Sequence, residues 1–260
     1  YNNKGNALVD MGQTEAALTC FSEAIRYDSR LVQAYNNLGN CLRSLGRLDE
    51  AIQCCMAAIQ QAPEYARAYQ TLGNALNEQG LHAAAVENLR KCIELEPGVA
   101  AAHNDLGNAL SDSGSHEDAM QSYETALSIQ PGYAEVHCNL GNALCEVGSY
   151  DRAIESYQEA LRLSPGLAEA HNNLSKIRKF SDDDEQLQAM LAQVADPQIS
   201  DNARMHLGFA LGKALSDIGK YDDAFEHLAI ANRLHKAELS YDIQRDREQF
   251  EKIKTMFGSE

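Results

Sequence analysis

The chain has 260 residues, 44% of them hydrophobic, and a net charge of −16 from 22 Lys and Arg against 38 Asp and Glu. That balance, with no basic stripe, excludes a nucleic-acid binder, which needs clustered cations against phosphate. No apolar run of about 18 residues is present to span a bilayer, and no charged-then-apolar leader marks secretion. Seven cysteines, an odd number without CxxC spacing, predict reduced thiols in a cytoplasmic protein rather than disulfides, a zinc site or a redox centre. Tyr1 in place of a methionine leads us to expect a fragment or a processed chain.

From the N-terminus onward the chain repeats itself. Leu-Gly-Asn-Ala-Leu stands at 72–76, 106–110 and 140–144, a period of 34 residues, and 5–8 and 38–40 fall on the same grid. A fixed period of this size predicts stacked supersecondary units. Five units begin at Tyr1, Tyr35, Tyr69, His103 and His137, each with two amphipathic helical segments. The first segment ends on Gly46, Gly80, Gly114 or Gly148, where a left-handed backbone suits glycine. The second opens near acids such as Asp49, Asp118 and Asp151, which favour a helix N-terminus. Pro63, Pro97, Pro131 and Pro165 close four units. Gly39, Gly73, Gly107 and Gly141 on first helices, with Ala51, Ala85, Ala119 and Ala153 on second helices, are expected to let paired helices approach closely. One unit cannot bury its apolar face alone, whereas stacked units can.

These residues form the tetratricopeptide signature, and the chain resembles that family over residues 1–175. The resemblance implies an all-α, right-handed superhelical solenoid of antiparallel helix pairs. Five regular units and the start of a sixth are expected over 1–175, and divergent units over 176–260. Ser175 replaces the glycine of the sixth unit, and the acidic run 181–185 reads as a helix N-terminus rather than a metal site. A helix is predicted over 186–194, stopping at Asp196-Pro197. Leu211, Gly212, Leu215, Gly219, Ala224, Leu228 and Ala231 restore the signature over about 202–237. A last amphipathic helix over 241–257 is expected as a polar-faced cap. No matching cap precedes Tyr1, so further repeats upstream, or self-association through that uncapped repeat, are expectations.

Two amide columns carry the functional reading. Asn6, Asn40, Asn74, Asn108 and Asn142 form an unbroken one; Asn3, Asn37, Asn139 and Asn173 form a second, interrupted by Thr71 and Asp105. The family resemblance places first helices on the inner, concave wall. An amide offers donors and acceptors and can hold a peptide backbone without reading its side chains. The alternative is that the amides bond their own backbone or cross-link adjacent repeats. The second column resembles the asparagine ladder of the O-linked N-acetylglucosamine transferase superhelix, and the first a column used by chaperone-binding tetratricopeptide domains. One turn further along stand Asp10, Glu78, Asp112 and Glu146, with Arg43 the base assigned to the wall. A clamp for an acidic chaperone tail needs Lys and Arg there, so the expected ligand is a neutral or basic segment.

No GxxxxGK[ST], GxSxG or HExxH occurs, and neither catalysis, cofactor nor metal is expected. His103, His137 and His171 share a column read as core histidines, His82 and His116 are expected to face solvent, and Cys138 and Cys145 the groove. Residues 207–228, with 231–234 and 241–242, resemble the segment preceding the catalytic domain of bacterial tetratricopeptide sulfotransferases. The leading expectation is a protein-binding scaffold; the alternative is the non-catalytic arm of a larger transferase.

Overall fold

The computed structural model describes residues 1–238, which form fourteen helices and no strand, an all-α helical repeat solenoid. The expected helix over 241–257 lies outside the described residues. The chain divides into two compact units, Tyr1–Leu163 and Ser164–Glu260.

The first unit holds five helix pairs: α1 (Asn2–Asp10) with α2 (Thr14–Tyr27), α3 (Val32–Ser44) with α4 (Leu48–Gln61), and α5 (Ala66–Glu78) with α6 (His82–Leu95). α7 (Ala100–Asp112) with α8 (His116–Ile129) and α9 (Ala134–Glu146) with α10 (Tyr150–Leu163) complete it. Four of the first helices begin ahead of the Tyr or His that opens the sequence period, because the chain needs only a short turn after Ser29 or the proline that closes the preceding unit. Each first helix ends in the same left-handed turn. At Gly46 (φ +72°) its N–H bonds to Arg43 O and the Arg47 N–H to Leu42 O, both at 2.9 Å, satisfying carbonyls the helix leaves open. Gly12, Gly80, Gly114 and Gly148 repeat that turn.

Within each pair the helical glycine makes room for a side chain, not for the facing alanine as the sequence suggested. A Cβ on Gly5, Gly73, Gly107 or Gly141 would lie 2.4–2.6 Å from Phe21, Leu89, Tyr123 or Tyr157, respectively. These four side chains are fully buried or nearly so, each contributing about 1.5–3 kcal/mol. At Gly39, opposite the small Cys55, backbone of the second helix is among the nearest atoms, Ala51 O at 3.4 Å.

The second unit comprises α11 (Ala168–Ile177), α12 (Glu185–Val194), α13 (Asp201–Asp217) and α14 (Tyr221–Glu238). α11, read as opening a sixth regular pair, packs on α13. At the position that glycine holds in the regular units stands Ser175, buried, its hydroxyl donating to Asn172 O at 2.7 Å. The acidic run does start a helix, Asp184 accepting from the Gln186 N–H at 3.0 Å. α13 and α14 restore the regular pairing, since a Cβ on Gly212 would meet Leu228 at 2.4 Å and Gly219 makes the left-handed turn. Phe180, Leu187, Met190, Leu207 and Leu211 lie in this unit's core.

Candidate functional site

In the first unit each first helix touches the next, α1 to α3, α3 to α5, α5 to α7 and α7 to α9, while successive second helices make no comparable contact. Crowding on one side and spreading on the other makes the first-helix side the inner wall of that unit.

The wall's amides are tied together across repeats. Asn37 Nδ2 donates to Asn2 Oδ1 (3.1 Å) and Asn6 Oδ1 (3.0 Å), and Asn139 Nδ2 to Asn104 Oδ1 (3.0 Å) and Asn108 Oδ1 (3.2 Å). One residue of each helix thus bridges two residues on the helix before it. Where the column changes letter the bridge adapts. Asp105 accepts from Gln70 Nε2 (2.7 Å) and Asn74 Nδ2 (2.9 Å), and the Thr71 hydroxyl donates to Asn36 Oδ1 (3.0 Å). Burial pushes the Asp105 carboxyl above its ordinary value, against the opposing pull of those two amides and of Arg43. Asn108 and Asn142 are also held from behind, accepting from the Tyr123 and Tyr157 hydroxyls at 2.8 and 2.7 Å.

The unbroken column therefore divides by role. Asn6, Asn74, Asn108 and Asn142 each spend part of their capacity inside the protein, whereas Asn40 is exposed and has no partner among the described residues. Asn3 is also exposed. Asn173 lies on α11 in the second unit, where Lys176 Nζ donates to its Oδ1 at 2.9 Å.

A second set of cross-links runs one turn further along. Arg43 pairs with Glu78, and Asn77 Nδ2 donates to Asp112 Oδ2 at 2.6 Å. Asp10 and Glu146 are exposed. Arg43 is thus neutralised, and it is not the wall's only base. Exposed Arg67 lines a cleft of about 350 Å³ with Asn36, Asn37, Asn40, Gln70, Thr71 and Glu96. Arg67 aligns with Gln33, Ala101 and Glu135 in neighbouring units, so no periodic signal points to it. The bridged partners Asn2, Asn36, Gln70 and Asn104 do recur on the period, a third amide column the sequence could have shown.

The histidine column ties loops. His103, His137 and His171 each place Nε2 3.0–3.1 Å from the carbonyl of Pro97, Pro131 and Pro165, so that nitrogen carries the proton and donates. Burial lowers the His171 pKa, against the opposing pull of the Pro165 carbonyl. His82 and His116 are half-buried rather than solvent-facing, and His82 Nδ1 lies 2.8 Å from Asn77 Oδ1. All seven cysteines are free thiols. Cys138 is buried instead of facing the groove, and Cys145 is half-buried with its sulfur 3.6 Å from the Tyr157 hydroxyl. Among the described residues no three His, Cys, Asp or Glu side chains gather as metal ligands, and no helix is long and apolar enough to cross a membrane.

Paired helices, glycine-lined contacts and a ladder of amides define a helical repeat protein. Family models described as tetratricopeptide repeat match residues 2–69 and 66–98, and one described as TPR repeat matches 107–148 and 141–178. Together they cover more than half of the chain, which belongs to the tetratricopeptide repeat family. The crystal structure of MamA is similar at 25% identity and TM-score 0.55, covering 62% of this chain and 94% of that one. TTC0263, a thermophilic TPR protein of Thermus thermophilus, shares the fold at 21% identity and TM-score 0.59, over 68% of this chain and 96% of its own. An uncharacterized protein of Aquifex aeolicus (strain VF5) is 35% identical over 77 residues, 30% of this chain. The chain spans 10% of that relative's length. Tetratricopeptide repeat proteins generally mediate protein–protein interactions, and relatives of this fold are typically non-catalytic.

Proposed function

We propose that the unit Tyr1–Leu163 binds an extended, neutral or basic protein segment along its inner wall, without catalysis or cofactor of its own. The observation that carries this reading is Asn40, an exposed amide with no internal partner among the described residues, at a cleft where Asn36, Asn37, Gln70 and Thr71 are tied into the ladder. Neighbouring first helices lie about 10 Å apart and an extended strand rises about 3.3 Å per residue, so each helix of the wall meets about every third residue of the segment. The ladder supports the reading by preorganising the wall, so that binding orders few protein side chains.

Charge selects the ligand. Arg43 is spent on Glu78, Arg67 shares its cleft with Glu96, and Asp10 and Glu146 stand open to solvent. One uncommitted guanidinium is a poor clamp for an acidic tail. Calorimetric affinities for a basic peptide and for a Glu-Glu-Val-Asp tail test this. Tighter binding of the basic peptide is expected, and tighter binding of the acidic tail overturns the assignment. On this reading the protein works in the cytoplasm, where its free thiols stay reduced, and engages neither nucleic acid nor membrane.

A second reading makes these repeats the non-catalytic arm of a larger transferase, sulfotransferase before O-linked N-acetylglucosamine transferase. It draws on residues 207–242 and on the Aquifex relative, of which the chain covers so little. An intact mass of the endogenous protein well above 28.5 kDa favours it.

A further inference from the structure

The outer side of the first unit carries a surface that the inner-wall reading leaves unused. Because successive second helices lie further apart than first helices, furrows open between α2 and α4 and between α4 and α6. The gap between α8 and α10 is spanned by an ion pair, Arg152 to Glu124 at 3.1 Å. Among the described residues, no ion pair or side-chain hydrogen bond spans the gap from α2 to α4 or from α4 to α6.

α4 itself differs from its equivalents. From Ile52 to Gln61 it has no charged residue, and its outward positions are Gln53, Met56, Ala57 and Gln60. Each of the other four second helices of the unit places at least one charge at these positions: Glu23 and Arg26, Glu87 through Glu94, Glu124, and Glu155 through Arg162. Met56 is 57% exposed, a flexible apolar side chain at the crest between two furrows. One furrow, about 660 Å³, lies between α2 and α4 on a floor of Leu18, Leu38 and Leu42. The other, about 700 Å³, lies between α4 and α6, with Ile59, Tyr69 and Leu72 in its walls and no charged residue lining it. Both include Gln53 and Ala57. At this size each furrow accepts several side chains of a docked helix, the helix-in-groove mode.

The rim identifies the occupant. The mouth of the first furrow carries Glu15, Glu23 and Glu50 against Arg47; Arg26 pairs with Glu23 and Arg47 with Glu50, while Glu15 is exposed, feels Arg47 only at a distance and makes no ion-pair contact among the described residues, so the mouth keeps an excess of carboxylate. A second copy of this chain, at −16, meets like-charge repulsion that a basic partner does not. We propose that the α2–α4–α6 outer face is a second docking surface, taking an amphipathic helix of another protein whose apolar side chains enter the furrows and whose Lys or Arg meets Glu15. The protein then holds two partners at once, one on each side of the same helix pairs.

The test titrates the full chain with three model peptides while recording backbone amide resonances: a leucine–lysine amphipathic helix, its leucine–glutamate counterpart, and a lysine peptide without leucine. The leucine–lysine helix is expected to shift resonances around Leu18, Met56, Ala57 and Ile59, and the other two to leave them in place. Met56→Glu, at an exposed position, is expected to weaken that binding at least about tenfold, while leaving the affinity of an inner-wall segment unchanged. Gln53→Arg at the shared wall gives a matching loss by repelling the lysines. Equal binding of the glutamate helix or indifference to both substitutions overturns the proposal. So does a concentration-dependent mass that Met56→Glu abolishes, since the occupant is then a second copy.

Discussion

Gly107→Ala tests the packing logic of the repeat at one of its tightest points. The new Cβ would lie 2.4 Å from Tyr123 Cε1, far inside van der Waals contact. The ring cannot swing away freely, because its hydroxyl is held by Asn108 at 2.8 Å and the side chain is 2% exposed. Overpacking of this kind costs about 1–3 kcal/mol, while alanine in place of a helical glycine returns about 1 kcal/mol. The net loss reaches about 2 kcal/mol, read as a lower urea midpoint at unchanged slope. In a Tyr123→Ala background the obstruction is gone, and Gly107→Ala is expected to stabilise by about 1 kcal/mol. Gly39→Ala, whose nearest neighbour is the Cys55 sulfur at 2.9 Å, is expected to cost less than Gly107→Ala. If Gly107→Ala leaves stability unchanged or raised with Tyr123 in place, the glycine is not there for the ring, and the reasoning fails.

Asn139→Ala removes both donors to Asn104 and Asn108 and is expected to lower stability by about 1–2 kcal/mol, seen in the thermal midpoint; an unchanged midpoint means the cross-links are incidental. Asp105→Asn is a pH prediction. Burial raises the folded-state pKa of this carboxyl, so its contribution is fully present below the ordinary carboxylate pKa and is lost as pH rises through the raised one. The asparagine variant is therefore expected to gain stability over the wild type at neutral pH and to lose that advantage in acid, as measured by urea midpoints at both pH values.

The helix pairs, their left-handed glycine turns and the proline exits were legible because each recurs on one period and has a local cause. The roles of the asparagines were not. Asn37 and Asn40 stand three residues apart on one helix, yet one is bound into the preceding repeat and the other has no partner among the described residues. What separates them is a neighbour 31 or 35 residues earlier, which no local pattern declares. Ser175 was visible as a missing glycine, but the packing of α11 on α13 joins segments about 35 residues apart and no local pattern announces it. Arg67 and the uncharged stretch of α4 escaped because each occurs once, and a periodic reading discards what does not repeat.

The central claim is that an inner-wall amide left free by the ladder holds a partner's backbone, and Asn40→Ala tests it most directly. Substituting Asn74, Asn108 or Asn139 also breaks cross-links, whereas Asn40 has no internal partner among the described residues to lose. Calorimetry of the wild type and Asn40→Ala against the same basic segment, with thermal midpoints alongside, gives the answer. The account predicts an affinity loss of about five- to tenfold, one hydrogen bond's contribution, at an unchanged midpoint. Equal affinities at equal stability would contradict it and leave the amides of the wall with a structural role alone.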